Sequence, residues 1–327
     1  MTTGLINVGF GANTRLSYLV QAAAGEIDTT PEWHVLPFSS SEPNVEAEQM
    51  EDDSMTGDRN MLEPRSGTVN GQIQASGKMR PGALDALLEA CTQGTWADDE
   101  LIVGNTRRAI AWEIYHSDTD EYIRIIDTEI SELSIALSSN GDVTFSLTAI
   151  GGEELDLGVN IDTAIAGSTY VTYDDRPFYD SFNGVISIDG QPSIYFSELN
   201  PSMNNNSTPL FAVGNRYPIA VGHQKMNAEM TMTAYYQSET VKKLYQDESS
   251  VSMSIEMTNS GEVGAESHTF VYPSCKITNF GRPIGGAGEL MENVTIRPYK
   301  DTGIGSSLKI ERVVAPPTTT TSSQQEE

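Results

Sequence analysis

The sequence predicts a mainly β protein built from two tandem copies of one domain, in which a short helix accompanies a mostly antiparallel sheet. Apolar and polar residues alternate along several segments, as in strands with one buried face. Turn signals such as Asn140-Gly141-Asp142 separate these segments. The second half of the chain repeats the signals of the first half in the same order. The 327 residues suffice for two domains with their own cores.

The repeat emerges when the sequence is compared with itself. One ungapped block aligns at an offset of 157 residues and another at an offset of 147, since 226 − 69 = 157 and 270 − 123 = 147. The pairs are Val69 with Met226, Ile73 with Met230, Ala75 with Met232, Leu84 with Val241 and Leu87 with Leu244, then Ile123 with Phe270, Ile125 with Tyr272, Ile130 with Ile277, Leu133 with Phe280 and Leu147 with Val294. Apolar residues recur at equal spacing, which predicts a duplicated domain.

We divide the chain on this basis. Residues 1–30 form an N-terminal arm that ends in a first strand near 15–20. The first domain copy covers 31–152, a linker covers 153–185 and the second copy covers 186–304. We expect a disordered C-terminal tail over 305–327, because 315–327 contains no apolar residue beyond Ala315.

Within each copy a half-buried strand (68–77; 225–234) precedes a short helix. The first helix is predicted over 81–91, where Leu84, Leu87, Leu88 and Cys91 lie on one face. The second is predicted over 238–246, with Ser238 as its N-cap. Three further strands follow in each copy, around 110–114, 123–125 and 143–147 and around 251–257, 270–272 and 294–296.

Composition excludes several classes of protein. The 19 Lys and Arg residues against 46 Asp and Glu give a formal net charge of −27, which opposes tight binding of nucleic acid or anionic lipid. The two cysteines lie 184 positions apart (275 − 91), which excludes a zinc ribbon or a disulfide scaffold and favours a reducing compartment. We expect no signal peptide, because Arg15 is the only cation in the first 30 residues.

Residues with catalytic or ligating chemistry are scattered. None of the four histidines lies within four residues of another histidine or a cysteine. An acidic run from Glu42 to Asp58 lacks the spacing of a calcium loop. We therefore predict no catalytic residue, no metal site and no cofactor. The acidic run and its counterpart around 200–206 are predicted to be long loops, for which a contact surface and a mobile solvated loop remain open alternatives.

Several residues also resemble a known family. The chain carries, in this order, Arg15-Leu-Ser-Tyr18, Trp33-x-x-Leu-Pro37, a long loop, Gly57-Asp-Arg59, an alternating strand and a Leu-x-x-Leu-Leu helix. The second half repeats part of this order, with Ile194-Tyr-Phe-Ser-x-Leu199 and Val213-Gly-Asn-Arg216. This order resembles the major tail tube proteins of phages with long non-contractile tails, the siphovirus type. The likeness extends over most of 15–300 and departs from the family's single-domain pattern through its duplication.

The resemblance implies that each copy is an antiparallel β-sandwich or barrel domain flanked by a short helix. It also implies a virion structural protein of the phage tail, made in the host cytoplasm. Single-domain members form hexameric rings around a continuous inner β-barrel, so a duplicated chain implies a trimeric, pseudo-hexameric ring. Stacked rings would form the tube through which genomic DNA is ejected, with an acidic or neutral lumen that does not retain it. The implied partners are other copies of the chain, the tail tip and terminator complexes and, transiently, DNA, with no membrane insertion.

Candidate contact residues follow from these expectations. Lumen-facing candidates are Asn70, Gln72, Gln74, Asn227, Glu229 and Thr231, for which an ordinary solvated outer face is the alternative. Candidates for contacts between rings are Glu42, Glu46, Glu48, Glu51, Asp52, Asp53, Asp58, Asn204, Asn205 and Asn206. The arm contributes Leu5, Ile6 and Phe10.

Two other functions compete with this interpretation. An acidic, β-rich, two-domain binding or surface protein associated with calcium would have the same composition, but the absence of a calcium-loop spacing argues against it. A glycosidase with a carboxylate pair would need an aromatic-lined cleft, for which three Trp give little support.

Overall fold

The computed structural model describes residues 10–55, 59–139, 141–154, 165, 167–173, 176–188, 195–262, 264–285, 288–315 and 318–320. The prediction of a mainly β fold is confirmed, with 54% of residues in strands and 6% in helices. The strands are β1 (Thr14–Val20), β2 (Glu32–Val35), β3 (Ser40–Met50), β4 (Arg65–Lys78), β5 (Glu100–Ile102), β6 (Ile110–His116), β7 (Glu121–Ser138), β8 (Val143–Glu154), β9 (Thr169–Thr172), β10 (Asp180–Ile188), β11 (Phe196–Asn204), β12 (Thr208–Leu210), β13 (Ala220–Gly222), β14 (Asn227–Tyr235), β15 (Val251–Thr258), β16 (Ser267–Gly281), β17 (Met291–Pro298), β18 (Lys309–Val313) and β19 (Thr318–Thr320). The α-helices are α1 (Asp85–Thr92) and α2 (Thr240–Gln246).

Eight strands form one continuous antiparallel layer in the order β3–β4–β8–β7–β11–β14–β17–β16. Strand β7 connects the strands of the first half to those of the second half. One of its edges pairs with β8, while the other edge pairs first with β6 and then, over 132–138, with β11. The layer therefore passes from the first half of the chain to the second without interruption.

A second layer folds over the apolar side of the first. Strand β1 pairs with β6, and β10 pairs with β15. Helix α1 packs against β7 and β11, and α2 packs against β16. Buried residues from both halves, such as Ile73, Leu133 and Met230, belong to one hydrophobic cluster. Each fully buried side chain of this size contributes about 1.5–3 kcal/mol, so the cluster favours keeping the two halves together.

The strand register repeats between the halves. Ala75 and Met232 lie opposite Leu147 and Val294, and Leu133 and Phe280 lie opposite these same two residues on the other side. Register shifts also recur, between Ile130 and Glu132 and between Ile277 and Asn279, and again between Ile110 and Trp112 and between Val251 and Met253. A β-bulge inserts an unpaired residue and bends its strand, so both halves bend at corresponding points.

Strand β1 covers the segment near 15–20 that was expected to be the first strand, but both helices begin later than predicted. Residues 81–84 form a turn in which Gly82 has φ +75°, a conformation that interrupts a helix. The prediction of Ser238 as N-cap is wrong, because Glu239 occupies that position without a side-chain cap.

Two predicted boundaries also need correction. The expected linker, 153–185, contains β9 and the first part of β10. The expected disordered tail, 305–327, contains β18, which pairs with β16 and β5. Ile310 on this strand and Leu308 just before it are completely buried. These short strands are stabilised by partners distant in the sequence, so a local apolar pattern does not reveal them. Residues 316–317 and 321–327 lie outside the described residues.

Candidate assembly surfaces

The eight-strand layer has an apolar face and a polar face. On β4, Val69, Ile73 and Ala75 are buried, and the intervening residues point to the opposite side. The predicted lumen-facing residues of β4 and β14 all lie on this opposite side, the polar face: Asn70, Gln72, Gln74, Asn227, Glu229 and Thr231. Gln74 and Thr231 are exposed and occupy equivalent register positions. The two halves therefore form one polar face.

The charged residues of the polar face are mostly acidic. The carboxylates are Glu42, Glu46, Glu48, Glu129, Glu132, Glu198 and Glu229, and the cations are Lys78, Lys276 and Arg297. Arg297 bonds Glu229 at 3.0 Å, and Lys78 lies 3.0 Å from Asp142. Serine, threonine and amide side chains fill the spaces between the charges, as where the hydroxyls of Ser40 and Ser76 lie 2.8 Å apart. Arg297 and Lys78 are therefore each paired with a carboxylate.

The two halves meet where β11 pairs with β7, which we term the internal joint. Leu199 lies opposite Leu137, Met203 opposite Leu133 and Asn204 opposite Glu132. The leucines and Met203 are buried on the apolar side. On the polar side, the Asn204 amide donates a hydrogen bond to Glu132 Oε2 at 3.0 Å. The joint thus combines backbone pairing, apolar contact and one amide–carboxylate bond.

Residues after β11 strengthen the internal joint. Asn205 is buried, and its amide donates to the carbonyl oxygens of Cys91 and Ile130 at 2.9 and 3.0 Å. His223 Nε2 lies 2.6 Å from Glu129, which also accepts bonds from Arg107. Burial by itself raises the pKa of Glu129, but its bonds to His223 and Arg107 lower the pKa overall. His223 and Glu129 lie 94 positions apart in the sequence, so no local pattern predicts this pairing.

Two edges of the eight-strand layer have no strand partner within the described part of the chain. Strand β3 pairs with β4 alone, so its second edge is open. Residues 276–281 of β16 pair with β17 alone, because β15 reaches only as far as Cys275. Open strand edges normally promote association, and charged residues and Pro on an edge limit the partners that fit. Strand β3 carries both, in Pro43, Glu46 and Glu48.

The predicted contact residues separate into three groups. The loop prediction is wrong for Glu42, Glu46 and Glu48, which lie in β3, and for Asn204, which ends β11. These polar segments become strands because β4 and β14 supply backbone hydrogen bonds, which an apolar pattern does not report. Asn205 lies in the loop after β11, as predicted, but it is buried.

The remaining candidates are exposed or lie outside the described residues. Glu51, Asp52 and Asp53 follow β3 in an exposed connection, where hydrogen bonds from Ser54 lower the pKa of Asp52. Asn206 is exposed with φ +47°. Phe10 is exposed, and its backbone N–H donates to Asp118. Leu5, Ile6 and Asp58 lie outside the described residues.

The reactive side chains have structural partners. Cys91, which was predicted on the apolar face of the first helix, and Cys275 are both buried. His268 is buried between the hydroxyl of Tyr179, 2.7 Å from Nδ1, and Asp85, 2.8 Å from Nε2. Among the described residues, no group of three His, Cys, Asp or Glu side chains is placed to hold a metal ion. The described helices are also too short or too polar to cross a membrane.

Comparison with known proteins agrees with this architecture. The family model for the phage tail tube protein matches residues 11–298, most of the chain. The chain belongs to the phage tail tube protein family. A search of curated proteins finds no match. Membership makes this tail tube protein a structural component of the virion tail that assembles with itself and with other tail proteins. A structural family of this kind also argues against an enzyme.

Proposed function

We propose that the chain is a tandem duplication of the tail tube domain and that three chains close one ring of six domains. In this proposal the copies begin at β1 and β10, earlier than the 31 and 186 predicted from sequence. The shared strand order, register and bulges of the two halves support it. Six equivalent domains per ring match the hexameric rings that the family resemblance implies for single-domain members.

The observation that carries ring closure is the internal joint. Its two strands, β11 and β7, correspond to β3 and β16, the strands with open edges. The register offsets are 158 between β3 and β11 (199 − 41) and 147 between β7 and β16 (280 − 133). When these offsets are applied to the residue pairs of the internal joint, they predict an external joint, in which β3 of one chain pairs with β16 of the neighbouring chain.

The external joint has a defined register. The internal pair of Ser202 and Ser134 corresponds to an external pair of Asn44 and Gly281. The internal pair of Met203 and Leu133 corresponds to an external pair of Val45 and Phe280. Asn204 opposite Glu132 becomes Glu46 opposite Asn279. Three chains with eight strands each give a 24-stranded barrel (3 × 8). At about 4.8 Å per strand, its diameter is about 37 Å before strand tilt, and barrels of fewer strands already enclose open channels.

The polar face would line this channel. Amides, hydroxyls and carboxylates there offer DNA few phosphate contacts, and Arg297 is occupied by Glu229. DNA affinity rises with the number of cations that neutralise phosphates, so such a lining lets the genome pass without being held. We therefore propose that the tube is a conduit for DNA ejection. In this proposal, the connection after β3, the β12–β13 hairpin and the N-terminal arm form the contacts between rings. The same segments contact the tip and terminator proteins.

Disulfide trapping tests the external joint. The Asn44→Cys, Gly281→Cys double variant places thiols across it, and Gly281 has room for a side chain, since a Cβ there would lie 3.9 Å from its nearest neighbour. The matched control is Ser134→Cys, Ser202→Cys, which places thiols at the corresponding positions of the internal joint. The native cysteines are buried and do not compete.

The purified protein is oxidised over a concentration series, and assembled tails are oxidised in parallel. Non-reducing gels should show covalent dimers and closed trimers for the external pair, and an intramolecular bond in monomers for the control. The proposal fails if the control pair forms its bond while the external pair stays monomeric even in assembled tails.

A further inference from the structure

The two joints differ in where their charges lie. In the internal joint, the carboxylates belong to β7: Glu132 accepts a hydrogen bond from the amide of Asn204, and Glu129 is bonded to His223 and Arg107. At the corresponding positions of the open edges, the carboxylates belong to β3, and β16 carries a cation and an amide. The correspondences are Asn204 with Glu46, Asn206 with Glu48, Glu129 with Lys276 and Glu132 with Asn279.

We infer that this reversal is a charge key that directs β3 of one chain to β16 of a second copy and excludes β7, an inference that rests on the proposed ring. At the β3–β16 joint, Glu46 would meet the amide of Asn279, repeating the Asn204–Glu132 bond with the two side chains exchanged. Glu48, two residues along β3, would approach Lys276 across the bulge between Ile277 and Asn279.

The groups available at the β16 edge fit this assignment. Lys276 is about half exposed and lies 4.0 Å from Glu248, a carboxylate that is 84% exposed. Exposed pairs of this length contribute little, so Lys276 can exchange that partner for Glu48 at small cost. The neighbouring Arg297 is bonded to Glu229, and Arg282 is bonded to Glu239 and Glu292, so Lys276 has the longest ion pair of these three cations.

The wrong pairing is disfavoured by the same residues. If β3 of one chain displaced β11 from β7 of another, Glu46 would lie opposite Glu132, which would lose the amide of Asn204. Like charges placed together across an interface are strongly unfavourable. Such a strand exchange would also lead to open chains rather than closed rings. The key therefore favours closure over domain-swapped aggregates.

A charge-swap series in the Asn44→Cys, Gly281→Cys background tests the key. Lys276→Glu gives β16 the charge that β7 carries at the corresponding position, and Glu46→Lys, Glu48→Lys makes the β3 edge basic. Each change alone should slow trapping of the external joint at least about tenfold in low salt. The combination of both changes should restore most of the rate, and high salt should reduce the difference.

Lys300→Glu is the control for net charge, because it makes the same change at an exposed residue beyond β17 and should leave trapping unaltered. Circular dichroism of each variant verifies folding. Equal trapping rates throughout the series would overturn the charge key while leaving the ring intact. Absence of trapping in the parent pair, with trapping of the internal control, would overturn the ring and the key together.

Discussion

Replacing Asp85 by Ala should destabilise the protein more than any exposed charge deletion, because Asp85 connects three segments. It lies at the start of α1, bonds His268 on β16 at 2.8 Å and pairs with Arg312 on β18. Its side chain is 15% exposed and that of His268 is 1% exposed. Two charge-assisted hydrogen bonds are each worth about 1.5–3 kcal/mol. Removing one member of a buried pair costs about 3–5 kcal/mol, and we expect a loss near the lower value because Asp85 is not fully buried.

Asp99→Ala supplies the matched control. Asp99 pairs with the same Arg312 at 3.0 Å, but its side chain is 67% exposed. Its loss should therefore cost only about 0–1 kcal/mol. Urea denaturation of both variants, followed by tryptophan fluorescence and circular dichroism, measures the two changes in the free energy of unfolding. Equal losses for the two variants would refute the idea that Asp85 connects the two halves of the fold.

Three further predictions concern pH, the channel and the thiols. Burial alone raises the pKa of Asp85, but His268 and Arg312 lower the pKa overall, so its stabilisation is complete above about pH 4 and is lost as pH falls through the lowered pKa. The free energy of unfolding, measured from pH 5 to pH 2, should therefore fall less steeply with decreasing pH in Asp85→Asn than in the wild-type protein. Gln74→Lys with Thr231→Lys should make assembled tubes bind DNA with an affinity that falls linearly in log–log plots against salt, whereas Gln246→Lys on α2 should not. Burial raises the pKa of Cys91 to about 12, so thiol reagents at pH 8 should label it only after unfolding, and rapid labelling of the native protein would contradict its burial.

Much of the first layer could be predicted from the sequence, because alternation reports which face of a strand is buried. The spacing of Val69, Ile73 and Ala75 identified β4 and placed Gln72 and Gln74 on its polar face. The equal spacing in the second half predicted β14 in the same way. These inferences succeeded because a one-residue slip would move every apolar side chain to the wrong face.

The assembly surfaces were predicted less well. Strand β3 has no strong apolar alternation, so its acidic residues were assigned to a loop. Asn205 was assigned to an exposed loop because the sequence does not show the carbonyl oxygens of Cys91 and Ile130 that its amide binds. Strand β18 was assigned to a disordered tail because its partners, β16 and β5, are distant in the chain.

The sequence by itself therefore determined the β class, the repeated order of elements and the polar face of the central strands, since these depend on side-chain periodicity along the chain. Only the tertiary structure decided that β7 joins the two halves, which strand edges remain open and which charges lie beside them. Backbone groups pair regardless of side chain, so the choice of strand partners depends on packing between distant segments and is not written in any local pattern.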